Sequence, residues 1–129
     1  MAKKELKFPP TVFTGRQALE VAHAVRELVN EEDLVVLACA VMPEHVHLLI
    51  KRHALGPERI VASCRARASR RLHDAGLWPA GRPIWSKGKW AVPLETADEV
   101  RQRMRYIEQN PVVAGLRPQK WSFVSAFDG

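Results

Sequence analysis

The amino-acid sequence predicts an α/β (α+β) domain in which an antiparallel sheet of about four strands packs against helices. Apolar residues recur at the helical period over residues 15–30, 57–75 and 96–110. Two apolar runs, 34–41 and 46–50, have the length and the branched side chains of buried strands. Because the segment between them is too short for a crossover, the two runs are expected to form an antiparallel hairpin.

The composition fits a single domain that spans residues 1–129. With 47% hydrophobic residues, a chain of 129 residues buries about two-thirds of its surface. The longest apolar run, residues 34–42, is less than half of what a membrane-spanning helix needs, and no signal peptide is readable, so the cytoplasm is the expected compartment. Residues 1–13 are the least determined part, since Pro9-Pro10 allows at best a short edge strand over residues 5–8.

Local signals predict where the helices begin and end. Thr14 and Thr96 are each followed three residues later by glutamine or glutamate, which is the spacing of a capping box at a helix start. Pro111 is expected to end the third helix at residue 110, because the residue before a proline avoids the helical region.

The charge and the cysteines bear on the partner and on the redox state. A net charge of +6 favours an anionic partner, although a solvated basic surface is equally compatible with it. Cys39 lies in an apolar run and Cys64 in a basic helix, without the spacing of a redox motif. Both are therefore expected to be reduced thiols in the core.

Two segments carry candidate nucleic-acid contacts. The second helix has an arginine-rich surface, which either contacts a phosphate backbone or is simply solvated. Residues 84–94, expected to form a bent hairpin or one irregular strand, interleave tryptophan with lysine, which suits base stacking beside charge but equally a tryptophan-rich core. The candidates are Arg65, Arg67, Arg70, Arg71, Lys87, Lys89, Trp85 and Trp90.

The centre of the sequence is the stretch Met42-Pro43-Glu44-His45-Val46-His47, in which a strand with two histidines is entered from a proline turn. Side chains two residues apart on a strand point to the same face, so His45 and His47 present two imidazoles side by side. Such a pair forms a platform for a metal ion, and the alternative is a pair of hydrogen-bonded core histidines. A metal site here needs a third ligand from elsewhere in the chain.

Tyr106 is the only tyrosine of the chain. At about 100° per residue, it lies about 120° from the centre of the buried stripe of its helix. Asn110 follows on the same side one turn later, so a phenol and a carboxamide are offered together near the helix end. The alternative is that Tyr106 flanks the core and Asn110 merely ends the helix.

Both motifs resemble those of one family. Residues 40–50, which hold the two histidines, resemble the signature strand of the single-tyrosine HUH transposases, particularly the REP-associated tyrosine transposase branch. Residues 106–116, Tyr-Ile-Glu-Gln-Asn-Pro-Val-Val-Ala-Gly-Leu, resemble the tyrosine helix of that branch with its Asn-Pro stop. The likeness covers residues 15–123, including a basic helix and an aromatic segment between the motifs.

The resemblance implies a ferredoxin-like HUH endonuclease fold and a transposase that cleaves and rejoins single-stranded DNA, often beside an imperfect hairpin. It implies that His45, His47 and Asn110 bind a divalent metal, Mg²⁺ or Mn²⁺, ions that suit mixed imidazole and amide ligands. Tyr106 would be the nucleophile that forms a 5′-phosphotyrosine intermediate. Val46 matches the hydrophobic residue between the family's histidines and is expected on the opposite face of the sheet.

The start of the chain departs from the family pattern. The family begins with a strand ahead of the first helix, whereas this chain offers only residues 5–8 before Pro9-Pro10. The sheet is therefore expected to be one strand short or to be completed by a second copy in a homodimer, unless the fold tolerates the loss. The alternative function on the same scaffold is a catalytically inactive or domesticated protein that binds DNA hairpins.

Overall fold

The computed structural model describes residues 13–43, 45–51, 53–79, 81, 83–85, 90–91 and 97–125. In this part of the chain the elements are, in order, α1 (Gly15–Glu32), β1 (Val36–Val41), β2 (Val46–Ile50), α2 (Pro57–Asp74), β3 (Trp90–Ala91) and α3 (Ala97–Val113). The mixed α+β class predicted from the sequence is confirmed. None of these described helices is both long and apolar enough to cross a membrane.

Helix α1 begins at the predicted capping box. The Thr14 hydroxyl accepts a hydrogen bond from the Gln17 backbone N–H at 3.3 Å, and the Gln17 side-chain oxygen accepts one from the Thr14 N–H at 2.8 Å. The helix runs past its predicted end at residue 30 and stops where Asp33 adopts a left-handed conformation with φ of 53°. The second predicted box, at Thr96, lies outside the described residues.

The predicted end of α3 at residue 110 is wrong, because the helix continues through Pro111 to residue 113. Pro111 forfeits one helical hydrogen bond, but its ring is buried, so packing offsets part of that loss. The helix ends instead at Gly115, which has φ of 82°. The N–H groups of Gly115 and Leu116 donate back to the carbonyls of residues 112 and 111, at 3.0 and 2.7 Å, as in a Schellman motif.

Strands β1 and β2 form the predicted antiparallel hairpin, with Val41 opposite Val46 and Ala40 opposite His47. The sheet order is β1-β2-β3, and the short β3 pairs with β2 in parallel, with Trp90 opposite Val46. Of the predicted antiparallel sheet of about four strands, the described residues thus confirm only the β1–β2 hairpin. The edge strand expected over residues 5–8 lies outside the described residues. β3 can run parallel because α2 lies in the connection, which makes it long enough for a crossover.

The two faces of the sheet pack against different helices, and this decides which way the histidines point. Val46 and Ile50 belong to the larger core cluster, which includes buried residues of α1 and α2. Leu49 belongs to a smaller cluster that includes the buried side of α3. Because strand residues alternate, His45 and His47 lie on the α3 face. The predicted position of Val46 on the opposite face is confirmed.

Both cysteines are buried and form no disulfide, as predicted. Burial raises the pKa of the Cys64 thiol to about 12. Burial, and then the neighbouring Cys64, raise the pKa of Cys39 well above its ordinary range. Both thiols are therefore protonated at neutral pH and serve as core side chains rather than as nucleophiles.

The carboxamide of Gln119 closes part of the outer edge of β1. Its oxygen accepts a hydrogen bond from the Val41 N–H at 2.9 Å, and its Nε2 donates to the Val41 carbonyl at 2.8 Å. Further along the strand, the Ser125 N–H donates to the Val36 carbonyl at 2.7 Å, next to a parallel bridge between Val36 and Val124. The C-terminal segment thus forms hydrogen bonds with the free edge of β1, as a neighbouring strand would, up to Val41 at the end of the strand.

We expect Gln119→Ala to lower the free energy of unfolding by about 1–3 kcal/mol, because two hydrogen bonds to the backbone of Val41 are lost. Urea denaturation of this variant and of Gln109→Ala, whose side chain is exposed on α3, measures the difference. Equal stability of the two variants would show that water replaces the Gln119 amide without cost.

Candidate active site

The hairpin turn holds the two histidines in place. The Met42 N–H donates to the His45 carbonyl at 2.8 Å, and the Pro43 carbonyl accepts from the Phe13 N–H at 2.7 Å. The turn is therefore tied both across the hairpin and to the segment that enters α1. The imidazoles of His45 and His47 lie side by side, with ring centroids 4.4 Å apart and planes at 88°.

His47 is held in its neutral form. Burial, then the neighbouring His45, and then the positive charge of Arg103 lower the pKa of His47 to about 4. At neutral pH its ring therefore carries no charge, and a ring nitrogen has a lone pair to offer to a cation. A metal ion can bind this side chain without first displacing a proton.

Helix α3 places Tyr106 beside the histidine pair. Val100 and Ile107 are buried against the sheet, whereas Tyr106 lies on the flank of the helix and is 56% exposed. The Tyr106 ring centroid is 6.1 Å from that of His47, with the planes at 84°. The phenol is thus open to a large substrate and adjacent to the histidines of its own chain.

Asn110 follows Tyr106 by one turn of α3 and is half-buried. Its Nδ2 atom is buried and makes no hydrogen bond within the described part of the chain. A buried polar group in this state is often explained by a bound ion or water, and a 180° turn of the amide exchanges Nδ2 for the metal-binding oxygen. The Asn110 amide is therefore a suitable donor.

The donor set fits a divalent cation. Among the described residues, no group of three His, Cys, Asp or Glu side chains could hold a metal ion. A third protein ligand within that part of the chain would therefore be of another type, such as the Asn110 amide. Two imidazoles and an amide oxygen would suit Mn²⁺ or Mg²⁺, and phosphate and water oxygens would complete the coordination.

A family model described as Transposase IS200 like matches residues 7–110. The chain belongs to the IS200-like transposase family. The matched region contains the histidine strand and Tyr106, and it ends at Asn110. Membership of this family indicates a transposase-type function and therefore a DNA-cleaving enzyme. No curated protein and no solved structure matches the chain.

Two arginines of the transposase that were predicted to contact DNA form ion pairs with α1. Arg71 Nε donates to Glu20 at 2.9 Å, and its Nη1 donates to Glu27. Arg67 pairs with Glu31 and, at 3.6 Å, with Glu27. The carboxylates neutralise both guanidinium groups between the helices, so a DNA phosphate would have to compete with these ion pairs for either side chain.

The other two arginine candidates lie differently. Arg70 is exposed. Arg65 is half-buried, and its Nε makes no hydrogen bond to any described residue. These two side chains remain candidates for contact with DNA.

We expect Arg71→Ala to lower the free energy of unfolding of the transposase by about 1–2 kcal/mol, because it removes charged hydrogen bonds to Glu20 and Glu27 at a partly exposed position. Arg70→Ala, which removes the same charge one residue away, should change stability by less than about 0.5 kcal/mol. Urea denaturation at low salt measures both. Indistinguishable variants would mean that the ion pairs between α1 and α2 add nothing to stability.

The aromatic candidates are part of the core rather than of an open surface. Trp90 is 8% exposed, and its ring lies 5.5 Å from that of Trp85. Trp85 is half-buried, packs edge-on against Phe13 and donates its Nε1–H to the Ser69 hydroxyl at 2.8 Å. The buried position of Trp90 disagrees with the prediction that it stacks on a DNA base. Lys87 and Lys89 lie outside the described residues.

Proposed function

We propose that this IS200-like transposase cleaves and rejoins single-stranded DNA through Tyr106. A divalent cation bound by His45, His47 and Asn110 would assist the reaction. The observation that carries the proposal is the exposed phenol, whose ring lies 6.1 Å from that of His47, which in turn lies 4.4 Å from that of His45. A nucleophile beside a cation site is the arrangement that metal-assisted cleavage of a phosphodiester requires.

The finer assignment is to the REP-associated tyrosine transposases. It rests on the sequence around Tyr106, where an Asn-Pro pair follows four residues later, and on the Met-Pro-Glu-His-Val-His entry to β2. The expected substrate is accordingly a single strand next to an imperfect hairpin, and the strand would reach the exposed side of α3.

The reaction is a phosphoryl transfer from the 3′ oxygen of one nucleotide to the phenol oxygen of Tyr106. The phenol oxygen of Tyr106 attacks the phosphorus, a P–O bond to tyrosine forms, and the bond to the 3′ oxygen of the preceding nucleotide breaks. The proton that tyrosine loses is balanced by the proton that the departing 3′ oxygen gains. When bound, the cation polarises the phosphate and stabilises the charge that develops on it. A 3′-hydroxyl can later attack the 5′-phosphotyrosine and rejoin the strand.

The residues of the chain prepare this reaction. The neutral imidazole of His47 is ready to ligate at physiological pH because its pKa is lowered to about 4. The flank of α3 holds the phenol outside the core, where a DNA strand can approach it. Since Tyr106 lies next to His47 of its own chain, we expect one copy to supply both the nucleophile and the histidines.

A covalent-adduct assay tests the proposal. The wild-type protein is incubated in Mn²⁺ with oligonucleotides that carry an imperfect hairpin, randomised single-stranded flanks and a label at the 3′ end. We expect a labelled protein band that survives denaturation, because a 5′-phosphotyrosine retains the 3′ fragment. The band should be absent in EDTA, and sequencing of the retained fragments gives the cleavage site.

The outcomes separate the enzyme from the alternative function. Binding of the same oligonucleotides at low salt without an adduct would favour a hairpin-binding protein that does not turn over. Failure to bind or cleave any of them would contradict a role on single-stranded DNA.

A further inference from the structure

The flank of α3 that carries Tyr106 also carries a cation. Arg103, Tyr106 and Asn110 are spaced by three and four residues, which places them within about 60° of one another around the helix axis. Arg103 is exposed, as is Tyr106. A guanidinium, a phenol and a carboxamide therefore follow one another along the side of α3 that borders the histidine pair.

Arg103 and Arg101 lie on different sides of α3. Arg101 is on the same helix and is also exposed, but it lies about 160° from Arg103 around the axis. Arg103 therefore lies on the side of α3 where Tyr106 contacts His47, and Arg101 does not.

We propose, resting on the function proposed above, that Arg103 is a catalytic residue that binds a non-bridging oxygen of the scissile phosphate. Residues three apart on a helix lie about 5–6 Å apart at Cβ, so a phosphate in contact with the Tyr106 oxygen is a near neighbour of the Arg103 side chain. A guanidinium is permanently charged, and its planar set of N–H donors matches the oxygens of a phosphate. Arg103 would neutralise the charge that otherwise repels the phenolate.

A structural role for Arg103 is the competing explanation. Glu99 precedes it by four residues, which is the spacing of a helical ion pair. Such a pair would support α3 without any contact with DNA. The experiment must therefore show whether the effect of removing Arg103 depends on the negative charge of the phosphate.

The probe is the oligonucleotide recovered in the adduct assay, synthesised with either a normal phosphate or an uncharged methylphosphonate at the cleavage site. On the phosphate, Arg103→Ala should slow adduct formation by about 100–1000-fold, the usual effect of losing one preorganised charge-stabilising group. On the methylphosphonate there is no negative charge to neutralise, so the variant should lose less than about tenfold relative to the wild type. Arg103→Lys should fall between the two, because it keeps the charge without the planar donors.

Arg101→Ala is the matched control, since it removes the same charge from the other side of α3 and should form the adduct at the wild-type rate. If Arg103→Ala also reacts at that rate on the phosphate, the role of Arg103 is overturned while the proposed function stands. The same loss on the phosphate and on the methylphosphonate would assign Arg103 to structure and overturn the proposal as well. A wild-type protein that forms no adduct overturns the proposed function itself, and the role of Arg103 with it.

Discussion

Tyr106→Phe is expected to abolish the covalent adduct with single-stranded DNA, lowering its rate of formation by at least about a thousandfold. The substitution removes the only phenolic oxygen of the chain, so no other tyrosine can replace it. The phenylalanine ring retains the edge contact with His47, where the centroids are 6.1 Å apart. The loss would therefore report on the hydroxyl and not on packing. A denaturing gel and the intact mass of the protein measure the adduct.

The control for this variant is its folding and its affinity for DNA. Because Tyr106 is 56% exposed, removal of its hydroxyl should change the free energy of unfolding by less than about 0.5 kcal/mol. Binding of the uncleaved oligonucleotide at low salt should stay close to that of the wild type. An adduct that persists in Tyr106→Phe would show that another side chain is the nucleophile.

The hairpin could be predicted from the sequence because its signals are local. The run 46–50 is bounded by the proline turn on one side and by charged residues on the other, and the structure gives β2 the same limits. The capping box at Thr14 is equally local. Short-range patterns of this kind are decided by the backbone and by nearest neighbours, so the rest of the fold does not overrule them.

The end of α3 shows where a local rule is insufficient. Pro111 favours a stop at the preceding residue, but the buried ring of Pro111 packs well enough for the helix to continue for one more turn. Gly115 is the residue that ends it. The sequence contains both signals, and only the packing of α3 on the sheet decides between them.

The arginines of α2 could not be assigned from their own helix. Considered alone, they form an unbalanced basic surface that favours an anionic ligand. Glu20, Glu27 and Glu31 of α1 are spaced by seven and four residues, so they share one side of that helix. This acidic stripe was visible in the sequence, but its meaning depends on α1 packing against α2, a contact between segments more than thirty residues apart.

The sequence predicts which residues form the candidate site, but it does not predict how far apart they lie. The types and spacings of the histidine pair and of Tyr106 with Asn110 are readable from the chain. Their distance is not, since about sixty residues separate the two motifs. His45 and His47 lie on the face of the sheet against which α3 packs. This packing brings the phenol of Tyr106 next to the imidazoles.

The second large effect is expected for His47→Ala, which should weaken binding of Mn²⁺ to the metal-free protein by at least about a hundredfold. Loss of a group that merely supports a metal ligand costs about 10–100-fold in affinity, so loss of a ligand should cost no less. Titration calorimetry measures this without DNA, which separates metal binding from catalysis. His73→Ala, at the exposed end of α2, is the matched control and should bind Mn²⁺ like the wild type. Equal affinity of all three proteins would remove His47 from the proposed site.

The same variant gives a second result that needs neither metal nor DNA. Folding lowers the pKa of His47 from 6.5 to about 4, chiefly through burial, so between these values the unfolded chain binds more protons than the folded protein. The contribution of His47 to the free energy of unfolding is therefore complete above pH 6.5 and is lost as the pH falls towards 4. In EDTA, His47→Ala should show a shallower loss of stability across this window than the wild type, measured by urea denaturation at a series of pH values. Parallel curves would mean that the fold does not hold the imidazole neutral between pH 4 and 6.5.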